Sequence, residues 1–171
     1  MPARAILLIA TVLCFAASAF AQQTSAHSDH PVVVLVGGQY GTPTEWLGTA
    51  GVLIARPKPF QPGTSTDSSR AGLVVTAGAG TGGFGLAAGG AFLALEGPWL
   101  TTGFDARFTL TRTGAAPRGA AGESTYVGGE AGLLIMSVRL AAGAAHRTAG
   151  PPGPKSTIFT WSVGVQLPLG W

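Results

Sequence analysis

The strictest pattern in this chain is a two-residue alternation over its last thirteen positions. Large apolar residues occupy every second position: Phe159, Trp161, Val163, Val165, Leu167, Leu169 and Trp171. The residues between them are small or polar, apart from one proline. Successive side chains of a β-strand point to opposite faces, so this period predicts a strand with one wholly apolar face.

The composition favours further strands over helices or disorder. The chain has 27 glycines, which disfavour long helices, and no strict triplet repeat that would indicate collagen. It is 46% hydrophobic and 10% charged, whereas disorder requires low hydrophobicity or high net charge. A soluble protein ordinarily carries about 25% charged residues, so the shortage of charge here suits a surface that faces lipid.

The N-terminal segment predicts export. Arg4 is followed by an apolar run that is shorter than the roughly 18 residues of a membrane-spanning helix, and an Ala-Phe-Ala cleavage motif ends at Ala21. We predict a cleaved signal peptide over residues 1–21, a flexible tail over 22–31 and a β-barrel domain over 32–171. Cleavage would remove Cys14, the only cysteine in the sequence, so we expect no disulfide.

Nucleic acid is not an expected partner. The sequence has ten basic and seven acidic residues, and loss of Arg4 with the signal peptide would leave nine basic against seven acidic. Because these basic residues form no cluster, they offer no electrostatic footprint for a phosphate backbone.

Turn-forming residues divide the rest of the chain into eight segments with strand character. The predicted strands are Val32–Tyr40, Trp46–Arg56, Arg70–Ala79, Phe84–Leu95, Trp99–Arg112, Thr125 to about Leu134, Val138–His146 and the C-terminal segment. Eight antiparallel strands can close into a barrel that has no free edges. The interior of a barrel of this size is just filled by side chains. We therefore predict an all-β fold, an eight-stranded antiparallel up-and-down transmembrane β-barrel.

Charged residues in the predicted strands alternate with apolar ones. In the fifth strand Phe104 and Phe108 share one face, while Asp105 and Arg107 share the other. An arginine at a lipid-facing midplane costs about 2–4 kcal/mol, so we expect these charges in the lumen. The predicted lumen ion-pair network consists of Asp105, Arg107, Glu130 and Arg139. Such a network can fill a sealed barrel as satisfied ion pairs, or act as a gate in a narrow pore; the sealed barrel is favoured because an eight-stranded lumen holds little water.

The last strand and the signal peptide resemble those of small Gram-negative outer-membrane β-barrel proteins. In that family the C-terminal strand ends in an aromatic residue and is recognised by the outer-membrane insertion machinery. The resemblance assigns this insertion signal to Val165, Leu167, Leu169 and Trp171. It implies an outer-membrane location with membrane lipid and the insertion machinery as partners, but its motifs carry over no functional residue.

Three other motifs are candidates for a dinucleotide site, a membrane helix and a metal site, and the sequence disfavours each. Gly78–Gly83 matches G-x-G-x-x-G, but the next segment is too glycine-rich for the helix that a dinucleotide site needs. Ala71–Leu95 is uncharged and long enough for a membrane helix, but its glycines favour two strands. His27 and His30 have no third ligand in view, so no metal site is predicted.

We expect a structural or surface-interaction role with a plugged lumen, no cofactor and no enzymatic activity. Three alternatives remain open: a soluble periplasmic barrel that binds an apolar ligand, a narrow pore, and a lipid-modifying enzyme. For the enzyme, the candidate residues are His146 with Glu123 or Ser124, although no G-x-S-x-G motif is present.

Overall fold

The computed structural model describes residues 32–55, 69–96, 100–152 and 156–169. These residues form one closed barrel in which each strand pairs antiparallel with its sequence neighbours and the first strand pairs with the last. The strands are β1 (Val32–Thr42), β2 (Glu45–Ala55), β3 (Arg70–Gly80), β4 (Gly83–Glu96), β5 (Leu100–Thr113), β6 (Thr125–Ile135), β7 (Val138–Ala149) and β8 (Thr157–Leu169). The predicted eight-stranded up-and-down barrel is confirmed.

The C-terminal ends of β1 to β7 differ from the prediction by one to three residues. β1 continues two residues beyond Tyr40, and β7 continues three residues beyond His146 because its pairing with β6 persists past a register shift at Thr125 and Tyr126. The signal peptide, the tail, and the predicted strand residues Arg56 and Trp99 lie outside the described residues.

The two ends of the barrel have different connections. We call one the loop end, which carries residues 43–44, 81–82, 114–124, 150–152 and 156. We call the other the terminal end, where β1 begins and β8 ends. β2 ends and β3 begins at the terminal end, and the residues between them lie outside the described residues except for Ser69.

On β5 and β8, large apolar side chains alternate outward with inward polar or charged ones. On β5, Phe104 is 61% and Phe108 80% exposed, whereas Asp105 is 2% and Arg107 7% exposed. The same alternation holds on β8, where Phe159 and Val165 are exposed and Gln166 is buried. The faces predicted from the period of two are therefore the faces that the barrel adopts.

A layer of apolar side chains fills the lumen at the terminal end. Its buried members are Val33, Leu35, Leu53, Ala55, Val74, Ala91, Leu93 and Leu134. The sequence predicted charged residues in the lumen and did not predict this layer. For Val33 and Leu35 the reason is that β1 begins with an unbroken apolar run, Val32–Val36, which has no alternation to show which face is inward.

At the loop end, backbone hydrogen bonds tie three connections together. The amide of Gly82 donates to the carbonyl of Thr44 at 3.2 Å, and the amide of Gly114 donates to the carbonyl of Gly82 at 2.7 Å. The amide of Arg118 donates to the carbonyl of Pro43 at 3.3 Å, which draws the β5–β6 loop to the β1–β2 turn. These contacts form a collar around the mouth of the barrel.

The β5–β6 loop is also anchored by a buried aromatic side chain. The amide of Ala121 donates to the hydroxyl of Tyr126 at 2.9 Å, while the ring of Tyr126 packs with Ala145, Ile158 and Ala120. Because the polar tip of the tyrosine is satisfied, its ring can remain fully buried under the loop.

Candidate functional site

The buried charges of the lumen form one connected network around Asp105. Arg139 binds this carboxylate with two donors, Nη2 to Oδ1 at 2.6 Å and Nε to Oδ2 at 2.9 Å. Arg107 Nη2 donates to Oδ2 at 3.0 Å, and Arg139 Nη2 also donates to Glu130 Oε1 at 2.7 Å. The structure thus brings together all four of the charged residues that the sequence placed in the lumen.

The register of three neighbouring strands explains this contact. Arg107 on β5 pairs with Glu130 on β6, and Asp105 pairs with Gly132. Arg139 enters from β7, one strand further along, so its guanidinium must cross the position of Gly132 to reach Asp105. A Cβ atom at Gly132 would lie 2.8 Å from Arg139 Nη2 and 2.9 Å from Asp105 Oδ1. A larger residue at this position would therefore displace the guanidinium or the carboxylate from the geometry of the bidentate ion pair.

Two neutral residues complete the network, and the sequence analysis missed both. Gln166 Oε1 accepts from Arg107 Nη2 at 3.3 Å, and Thr76 Oγ1 accepts from Arg107 Nη1 at 3.3 Å. A signal was present for Gln166, since it is the only side-chain amide at an inward position of the last strand. Thr76 lies on β3 and meets Arg107 only because the barrel closes.

The network is electrically neutral and nearly dry. Its two arginines and two carboxylates sum to zero, and the side chains of Asp105, Arg107, Arg139 and Glu130 are 0%, 5%, 5% and 16% exposed. Removing one partner of such a buried pair typically costs about 3–5 kcal/mol, because the other charge is left uncompensated. The arrangement can hold strands together across the lumen.

A polar cavity of about 80 Å³ lies between this network and the loop end. We call it the vestibule. Its polar lining consists of Gln39, Thr42, Thr44, Thr49, Thr76, Arg107, Thr109, Thr111, Glu130, Thr160, Ser162 and Gln166. Arg107 and Glu130 contribute to both the vestibule and the ion-pair network, so they form its floor.

No hydrogen bond or ion pair joins His146 to Glu123 or Ser124, the residues considered for an enzymatic role. His146 is exposed and its Nδ1 contacts Thr157 Oγ1 at 3.0 Å, while Ser124 is buried and its Oγ donates to the carbonyl of Gly122. Glu123 is exposed in the loop. Within the described ranges no group of three or more His, Cys, Asp or Glu residues could hold a metal ion. His27 and His30 lie outside those ranges.

Two sequence motifs have structural explanations. Gly78–Gly83 forms the end of β3, the turn at 81–82 and the start of β4, so the alternative of a dinucleotide-binding strand and helix is wrong. Ala71–Leu95 consists of the same two strands, so the alternative of a single membrane helix there is also wrong. No helix among the described residues has the length and apolarity to cross a membrane.

The proposed C-terminal insertion signal lies at the terminal end of β8. Val165 is 49% exposed on the outer face, and Leu167 and Leu169 are partly exposed. Trp171 lies outside the described residues.

A scan of family models, a search of curated proteins and a search of solved structures each return no match to this chain. Function must therefore be inferred from the barrel's own geometry and charge distribution.

Proposed function

We propose that this protein is an integral β-barrel of the bacterial outer membrane, with a closed lumen and a structural or surface-interaction role. The main support is the separation of charge from the outer surface. Within the eight strands, no charged residue occupies an outward position more than one residue from a strand end. Charges that lie nearer the middle of the strands, such as Asp105 and Arg107, point inward and are paired.

The apolar outer band has the height of a membrane. On β8, outward apolar residues run from Phe159 to Leu169 without a charge. Ten residues of strand measure about 33 Å, and a barrel strand tilted by about 40° spans roughly 25 Å of that along the barrel axis. This matches the apolar band of about 25 Å found on outer-membrane barrels.

An aromatic cluster lies on the outer face towards the loop end of β1, β2 and β8. Tyr40 on β1 lies 5.0 Å from the ring of Trp46 and 6.0 Å from the ring of Trp161, measured between centroids. Tyrosine and tryptophan have an apolar ring with a polar group, so they favour the boundary between hydrocarbon and water. Such a cluster is consistent with a loop end that faces away from the lipid, because outer-membrane barrels carry aromatic residues near both interfaces.

The arrangement disfavours a soluble ligand-binding barrel. Such a protein would turn its aromatic faces inward around the ligand and expose its charges to water. Here Phe104, Phe108 and Phe159 point outward, and the lumen contains ion pairs and a filled apolar layer. Large apolar side chains are exposed on all eight strands, whereas soluble monomers rarely expose contiguous apolar patches larger than a few hundred Å².

A narrow pore is disfavoured by the packing of the lumen. The apolar layer at the terminal end and the neutral ion-pair network above it both cross the interior. Ions would have to lose their hydration to pass an apolar layer that offers no replacement ligands. The features left for interaction with the environment are the collar and the loops at the loop end, which would face outside the cell.

Membrane fractionation tests the proposal. The full chain, expressed with its own N-terminal segment in a Gram-negative host, should remain in the outer-membrane pellet after a carbonate wash. Unheated samples should migrate differently from boiled ones on a denaturing gel, because a closed barrel resists detergent. Release of the protein into the wash would contradict the proposal, and steady conductance in a planar bilayer would contradict the closed lumen.

A further inference from the structure

The vestibule is built for hydrogen bonding. Its walls carry hydroxyl groups at inward positions of β2, β5 and β8, namely those of Thr49, Thr109, Thr160 and Ser162. A volume of about 80 Å³ is far smaller than the 300–1,000 Å³ of pockets that hold drug-sized ligands. It is large enough for a few water molecules or one small solute, since a water molecule occupies about 30 Å³ in the liquid.

The floor of the vestibule has unused hydrogen-bonding capacity. A guanidinium group has five N–H donors, and within the described residues Arg107 makes three hydrogen bonds, to Asp105, Thr76 and Gln166. Its Nε is buried and lies 2.9 Å from Asp105 Oδ1 without hydrogen-bond geometry. That leaves a second N–H on Nη1 for a molecule in the vestibule.

A candidate acceptor lines the same cavity. Glu130 uses Oε1 to bind Arg139, and its side chain remains 16% exposed while it lines the vestibule. Arg107 and Glu130 pair directly in the register of β5 and β6, so their backbones lie at the same level of the barrel and both side chains reach the vestibule floor. A molecule on the floor can therefore accept from one residue and donate to the other.

The charge of the floor decides what kind of molecule fits. Arg107 and Arg139 are already balanced by Asp105 and Glu130. An ion entering the vestibule would lose hydration without gaining a net countercharge, whereas a neutral molecule with one donor and one acceptor would satisfy both free groups. Below the floor, the apolar layer gives a polar molecule no way onward.

We propose that the vestibule is a one-ended binding site for small uncharged molecules that carry both a hydrogen-bond donor and an acceptor. Such a molecule enters from the loop end, donates to Glu130, accepts from Arg107 and leaves by the same route. This site does not depend on the membrane location, because it requires only the closed barrel and its lumen.

Cysteine accessibility tests whether the vestibule is open to water. In the purified full-length barrel in detergent, Thr109→Cys and Thr160→Cys each place a thiol on the vestibule wall, and Val74→Cys places one in the apolar layer. The small uncharged reagent methyl methanethiosulfonate should modify the two vestibule thiols at least about tenfold faster than the thiol at position 74. The unsubstituted chain provides the blank, and the heat-dependent gel shift identifies variants that have folded.

Competition tests the binding itself. Acetamide has a donor and an acceptor, acetate has the same shape but a negative charge, and acetone lacks the donor. Acetamide at roughly 10–100 mM, the range expected for a ligand of four heavy atoms, should slow the labelling of Thr109→Cys at least twofold, and the other two probes should not. Glu130→Gln should weaken the protection, because a neutral amide is a poorer acceptor than the carboxylate.

Three results would overturn the proposal. They are equal labelling at positions 109, 160 and 74, absence of protection by acetamide, or equal protection by acetate and acetamide. None of them bears on the membrane location, which the fractionation experiment tests separately.

Discussion

The loss of stability caused by a charged side chain on the outer face tests whether that face contacts lipid. Ala106 is the seventh of the fourteen residues of β5 and is exposed between Phe104 and Phe108. Either end of the strand is six or seven residues away, about 20 Å along a strand and roughly 15 Å along the barrel axis after tilt. Half of a bilayer's hydrocarbon core is about 15 Å, so Ala106 would lie at its midplane.

Ala106→Arg should therefore destabilise the barrel by about 2–4 kcal/mol in lipid vesicles, which corresponds to a roughly 30- to 1,000-fold change in the folding equilibrium. Ala149→Arg is the matched control, because Ala149 is the exposed last residue of β7 at the loop end. At this height the same substitution should cost about 0–1 kcal/mol. Both values come from denaturant unfolding in vesicles, followed by tryptophan fluorescence and extrapolated to zero denaturant.

If the protein were soluble, a different outcome would be expected for Ala106→Arg and Ala149→Arg. Exposed alanines in water usually tolerate arginine within about 0.5 kcal/mol, so both variants would then be as stable as the parent chain. Equal stabilities for Ala106→Arg and Ala149→Arg would refute the lipid-facing orientation of β5. Folding of both variants without lipid or detergent would refute it independently.

Three further predictions concern the interior. Gly132→Ala should destabilise the barrel by about 1–3 kcal/mol because the new methyl group overlaps the Asp105–Arg139 ion pair, whereas Gly90→Ala, with open space around its Cβ, should be neutral or stabilising in the same unfolding assay. Asp105→Asn should cost about 3–5 kcal/mol because it leaves two buried arginines short of one countercharge. Tyr126→Phe should cost about 1 kcal/mol and raise amide exchange in the β5–β6 loop, because the Ala121 amide loses its acceptor.

Each of these predictions has a contradicting result. Equal stabilities for Gly132→Ala and Gly90→Ala would mean that the ion pair does not pass over position 132. A loss below about 1 kcal/mol for Asp105→Asn would mean that water reaches the network and screens it. Unchanged exchange in Tyr126→Phe would mean that the collar holds the loop without the tyrosine.

The fold was predictable wherever a strand has one apolar and one polar face. On β5 and β8 the period of two identifies both the strand and the direction of each side chain, because a pleated backbone leaves no other arrangement. The same reasoning placed Asp105, Arg107, Glu130 and Arg139 in the lumen, since an unpaired charge cannot face hydrocarbon. The number of strands followed from the turn residues between them.

Local patterns did not predict the features that depend on closure of the barrel. The β1 residues of the apolar layer could not be assigned to the lumen from the sequence, because Val32–Val36 is apolar at every position. Such a run is expected of a strand with hydrophobic surroundings on both faces. The contacts of Arg107 with Thr76 and Gln166, and the contact of Arg139 with Asp105, join residues from strands that are not neighbours in the sheet. Such contacts depend on register and on the curvature of the closed sheet, which no single segment encodes. The vestibule exists for the same reason, because its walls come from strands that meet only when the barrel closes.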